Sequence, residues 1–135
     1  MMMRQLLDAA IAARENAYAP YSAYRVGAAL LTEKGKIYTG CNMENASYSA
    51  TLCAERSAFS AAVSAGERRF VAIAVAGGKG EAADEMAPPC GVCHQVMAEF
   101  CDPDTFEIIL GDETKVKTFT LKELFPLSFG AEELK

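Results

Sequence analysis

The sequence predicts an α/β protein, a three-layer α/β/α sandwich around a five-stranded mixed sheet. Helical and extended segments alternate in the order α β β α β α β β α, which places helices on both faces of one sheet. One extended segment in the middle of the chain is apolar without alternation, as a strand covered on both faces must be. The 135 residues correspond to a single domain, 1–135, large enough to bury a core without disulfide staples. No internal repeat, low-complexity tract or linker interrupts it.

Met3, Leu6, Leu7, Ala10 and Ile11 recur at helical spacing with Arg4, Asp8 and Arg14 between them, so residues 3 to 17 read as an amphipathic helix ended by Pro20. Val26 to Leu31 and Ile37 to Cys41 form a β-hairpin around Glu33-Lys34-Gly35, the glycine supplying positive φ. Cys53 to Ala65 is alanine-rich and helical, with Thr51 as N-cap and Gly66 as the residue that stops it. Phe70 to Ala76 is the doubly covered strand, and a glycine-rich acidic loop runs from Gly77 to Ala87. Pro88-Pro89 opens a helix from Cys90 to Phe100 with Val92, Val96 and Phe100 as its buried stripe. Phe106 to Leu110 and Val116 to Phe119 are the last strands, and Thr120 to Phe125 is a short helix stopped by Pro126.

Eighteen acidic against thirteen basic residues leave a net charge of −5, which repels a phosphate backbone and argues against nucleic acid as the main partner. The 9% aromatic content without tryptophan argues against a carbohydrate or single-strand binding platform. No apolar run approaches the roughly 20 residues that span a bilayer, and Asp8 interrupts any signal-like stretch, so a cytoplasmic protein without a membrane partner is expected. Five cysteines, an odd number, fit a disulfide framework badly and turn attention to metal binding or reactive thiols.

Cys90-Gly91-Val92-Cys93 sets two thiols three residues apart at a helix start, where both can reach one ion. By itself the motif also suits a thioredoxin-like redox pair. Cys53-Ala54-Glu55 adds a third cysteine at another helix start, with a carboxylate two residues on. Helix starts that follow strands gather at the carboxyl edge of a sheet, so Cys53, Cys90 and Cys93 converge. Zinc with three protein ligands keeps a fourth position for water, the catalytic pattern. Cys41, Cys101 and His94, the one histidine, are the alternatives for a fourth ligand; His94 points about 100° away from Cys93 on a helix. Three thiolates and Zn²⁺ sum to −1, and the helix N-termini together with Arg56 offset that charge.

Cys53-Ala54-Glu55-Arg56 with Pro89-Cys90-Gly91-Val92-Cys93 resembles the all-cysteine zinc cytidine deaminases that act on free nucleosides. The likeness continues through Tyr18 to Ser22, Val26 to Leu30, Gly40 to Tyr48 and Gln95. It implies one Zn²⁺ per subunit and a small pyrimidine nucleoside as substrate, cytidine or deoxycytidine, in pyrimidine salvage. Glu55 is then the catalytic proton carrier, taking a proton from the attacking water and passing protons to N3 and to the leaving amine. The resemblance further implies that Asn42 and Glu44 hold the ribose hydroxyls, as i and i+2 of an extended segment can. It implies that the backbone of Ala54 meets the base, that Tyr24 lines the pocket, and that Phe129 stacks on the base in a neighbouring subunit of a homotetramer with shared sites. His94 stands where the family usually has arginine and lowers the fixed positive charge near the thiolates, and Tyr24 stands where phenylalanine is commoner. Three rivals remain: a deaminase of another aminopyrimidine nucleoside such as blasticidin S, a non-catalytic zinc-stabilised interaction domain, and an editor of DNA or RNA, which the acidic balance disfavours.

Overall fold

The computed structural model describes residues 2–80, 82–83 and 86–134. Five strands form one sheet: β1 (Arg25–Thr32), β2 (Ile37–Cys41), β3 (Phe70–Gly78), β4 (Glu107–Gly111) and β5 (Val116–Thr120). Their spatial order is β2-β1-β3-β4-β5, antiparallel throughout except for the parallel β3–β4 pair. Helices α1 (Met2–Ala13), α2 (Ala54–Ser64), α3 (Gly91–Phe100) and α4 (Leu121–Leu124) complete the predicted order. Among the described residues no helix is long and apolar enough to cross a membrane.

Strand alternation divides the core into two clusters, one on each face of the sheet. Ala29, Leu31, Ala72, Ala74, Ala76 and Ile109 meet Leu6, Leu7 and Ala10 of α1. Ala28, Leu30, Ile73, Val75, Ile108 and Leu110 meet Ala54, Ala58 and Phe59 of α2 and Cys93 and Met97 of α3. The alanines let α1 lie close to the sheet. The bulkier face takes the aromatic group of Phe59, Phe70, Phe100 and Phe106, whose neighbouring rings sit 5.1–6.5 Å apart. These layers are the three expected.

Several boundaries differ from the sequence reading for identifiable reasons. The first helix ends at Ala13 rather than near residue 17, and Arg14–Asn16 tighten into a 3₁₀ turn. Arg14, expected on the polar face, is fully buried because its guanidinium turns inward to main-chain carbonyls. Thr51 closes a 3₁₀ turn over Tyr48–Ala50 instead of capping α2; the N-cap is Cys53, and Cys90 is likewise the N-cap of α3. Val92 is exposed, whereas Cys93 and Met97 form the inward stripe of α3 with Val96 and Phe100 half-buried. The helix is rotated so that Cys93 faces the other cysteines. β3 runs on through Gly78, and Thr120 caps α4 in a reciprocal box with Glu123. Gly66 stops α2 as expected, at φ 97°.

Candidate metal centre and active site

The direction of the strands decides where the site can be. β2 and β3 are each antiparallel to β1, so they point the same way and their carboxyl ends share one edge of the sheet. The chain leaving β2 reaches Cys53 at the start of α2, and the chain leaving β3 reaches Cys90 at the start of α3. Two caps and one residue of the first turn of α3 therefore meet. The Sγ atoms of Cys53 and Cys90 are 3.8 Å apart, those of Cys90 and Cys93 are 3.5 Å apart, and all three lie within 4.8 Å of one another.

Three thiolates on a tetrahedral ion with Zn–S bonds near 2.3 Å would be separated by about 3.8 Å, so the donor set fits zinc with little movement. A redox pair needs no third sulfur at this distance. Cys41 and Cys101 stand outside the cluster, and burial raises both thiols above the usual range. His94 does not join it either: its ring stacks on Phe125 at 5.6 Å, and its Nε2 is buried without a hydrogen-bond partner. Hydrophobic surroundings hold the imidazole below its ordinary pKa.

The thiols are electrostatically prepared. A hydrogen bond from Cys93 and the Arg56 guanidinium, whose Nη2 donates to Cys53 Sγ at 3.4 Å, bring Cys53 down to about 5. The same contact with Cys53, together with burial, raises Cys93. Arg56 also donates to Thr51 O at 3.4 Å, which ties the cation to the turn before α2.

A pocket of about 270 Å³ opens beside the sulfurs, lined by Tyr24, Val26, Asn42, Glu44, Cys53, Ala54, Glu55, Ala87, Pro88 and Cys90 among others. Glu55 is 5% exposed, and burial pushes its carboxyl up to about 7 in the metal-free chain. Its own backbone N–H and the Cys93 thiol pull the other way, while the nearby Cys53 charge adds to the rise. A carboxyl so poised can hold or release a proton near neutrality.

Asn42 and Glu44 both reach the pocket, each already held by the protein. Asn42 Oδ1 accepts from Val26 N–H at 2.9 Å and Nδ2 donates to Tyr24 O at 2.8 Å. The Glu44 carboxylate accepts from the backbone N–H of Tyr21 at 2.9 Å and of Ser22 at 3.2 Å, and from the Ser22 hydroxyl. The hydroxyl contact first, then the two amides, keep Glu44 below the usual carboxylate range. The role of Ser22 is absent from the sequence reading, although the Tyr18–Ser22 segment is part of the resemblance. Phe129 is 56% exposed and does not line the pocket of its own chain; its carbonyl accepts from Gln95 Nε2 at 2.7 Å.

Residues 2–108 match the family model for the cytidine and deoxycytidylate deaminase zinc-binding region. A cytidine deaminase of Halalkalibacterium halodurans is 47% identical over 99% of this chain and 98% of its own, and one of Sporosarcina psychrophila is 46% identical over 99% and 96%. The crystal structure of cytidine deaminase from Burkholderia pseudomallei superposes with a TM-score of 0.86 at 46% identity, covering 96% of this chain and all of that one. A blasticidin-S deaminase of Bacillus cereus is more distant, at 34% identity over 78% of this chain and 77% of its own.

Proposed function

The chain belongs to the cytidine and deoxycytidylate deaminase family, and from that premise we propose that it hydrolyses free cytidine or deoxycytidine to uridine or deoxyuridine and ammonia. The observation that carries the reading is Glu55, a buried carboxyl at the wall of a nucleoside-sized pocket and directly beside three clustered thiols. Cys53, Cys90 and Cys93 are the residues that would hold zinc. Bound there with an open position, the metal supplies Lewis acidity that makes water a nucleophile at neutral pH.

The chain's own groups account for the rest. Glu55 takes a proton from the attacking water and delivers it to N3 of the pyrimidine. It then takes the remaining proton from the new C4 hydroxyl and passes it to the amine, which departs as ammonia as the C4 carbonyl forms. Asn42 and Glu44 are assigned to the sugar; the lining of the pocket by both, and the restraint of the Glu44 carboxylate by Tyr21 and Ser22, support this. Tyr24 and the backbone of Ala54, which also line the pocket, are assigned to the base. Arg56 stabilises the thiolates against their mutual repulsion.

The same reading extends to a homotetramer in which Phe129 enters a neighbouring site, in a cytoplasmic enzyme of pyrimidine salvage. Five free thiols support the reducing setting. The exposed rings of Phe129 and Tyr48, the latter 80% exposed, support a further interface. Light scattering of the purified protein should give four times the chain mass, and a monomer would rule the shared site out.

The primary test follows the ultraviolet change from cytidine to uridine with wild type and with Glu55→Gln. Turnover by wild type alone is the expected result. A folded, zinc-loaded wild type inert on cytidine and deoxycytidine overturns the substrate assignment, and blasticidin S is then the next substrate to try.

A further inference from the structure

Among the described residues Arg14 is the largest fully buried side chain, yet it lies outside the pocket and the metal cluster. Its Nε donates to Arg25 O at 3.0 Å, and its Nη2 donates to Gly78 O at 2.7 Å and to Gly80 O. Arg25 and Gly78 are paired across β1 and β3, at the sheet edge where the site sits. One guanidinium thus gathers carbonyls from the first residue of β1, the last residue of β3 and the chain just beyond.

Those carbonyls lie close to residues that wall the pocket: Tyr24 immediately precedes Arg25, and Ala87 and Pro88 line the pocket with it. These walls touch at Gly77, the residue preceding one of the clamped carbonyls. A Cβ built on Gly77 would sit 2.9 Å from Ala87 Cβ and 3.1 Å from the Tyr24 hydroxyl, so Tyr24 and Ala87 close over a bare backbone. The fork geometry of a guanidinium can satisfy several carbonyls in fixed directions, which an ammonium cannot.

We propose that Arg14 is a positioning residue for the nucleoside pocket, its guanidinium setting the angle at which the Tyr24 and Ala87–Pro88 walls leave the sheet. The proposal rests on the pocket being the nucleoside site. Arg14 belongs neither to the pocket lining nor to the cysteine cluster, so its loss should weaken substrate binding before it alters the chemical step.

The test uses the full-length, zinc-loaded protein with Arg14→Lys and Arg14→Met, and reads zinc content, kcat and KM for cytidine, and backbone hydrogen exchange. Arg14→Lys should keep one zinc per chain, raise KM about tenfold and change kcat by less than about threefold, as expected when a pocket wall shifts by a fraction of an ångström. Exchange at Gly78 and Gly80 should quicken, and Arg14→Met should show the larger effect in both readouts. Unchanged KM and exchange in a folded Arg14→Lys protein overturn the proposal. Failure of even Arg14→Lys to fold, or a parallel loss of zinc and kcat, also overturns it and makes the residue a general support of the fold. Quickened exchange in the variants alongside a wild type inert on cytidine would uphold the clamp and overturn the substrate reading instead.

Discussion

A carboxyl that is 5% exposed keeps its charge only at a cost, and Glu55 shows how that cost becomes a chemical property. Burial moves its titration toward neutrality, where a group that must both accept and donate is most useful. Glutamine preserves the shape and removes the titration, so Glu55→Gln should retain zinc, measured by metal analysis, while kcat falls on the order of 10²–10⁴-fold. Wild-type turnover in that variant would move the proton-carrying role elsewhere. Asp112 shows the opposite shift at the surface. Backbone N–H groups of Thr114 and Lys115, at 2.7 and 2.8 Å, and the Thr114 hydroxyl hold its carboxylate below the usual range. A pKa depressed by folding contributes stability above the unfolded value of about 4 and loses it as pH falls through the folded value. Asp112→Asn should therefore flatten the acid limb of the unfolding profile while leaving the neutral region nearly level, and an unaltered acid limb would contradict the linkage.

At the scale of the element, the site depends on how closely helices approach the sheet. Gly40 in β2 lies beneath α2, and a Cβ added there would come within 2.5 Å of Ala58 N and 2.7 Å of Ala54 O. The obstruction is main chain on both sides, so the helix that carries Cys53 and Glu55 must lift. Gly40→Ala should destabilise the protein by about 1–3 kcal/mol in denaturant titration and weaken zinc retention against a chelator. Stability within experimental error of wild type would mean that α2 can shift freely. The same register logic explains α3. Its inward stripe is Cys93 and Met97, which turns Cys93 toward the other two thiols, although hydrophobicity alone favours Val92.

Across the whole molecule, zinc joins segments that are 37 residues apart in sequence and reach it from different strands, so metal and fold are coupled. A ligand that binds only the native state raises its melting temperature, and removal by a strong chelator should lower it by on the order of 10 °C, restored by added Zn²⁺. An identical melt with and without metal would show the cluster to be rigid without it. Much of this protein was legible in one dimension. The alternation of helical and extended segments follows from periodicity, and the grouping of Cys53, Cys90 and Cys93 at two helix starts, with Glu55 beside the first, follows from their spacing, because these depend on residue type and local geometry. What only the tertiary structure decided depends on contacts between distant segments: that Cys53 and Cys90 are caps, that Ser22 and two amides restrain Glu44, and that Arg14 is buried. Arg14 looks like a surface cation in a helical pattern because its partners are main-chain carbonyls, which carry no sequence signature, and it is strand pairing that brings Arg25 and Gly78 to its reach.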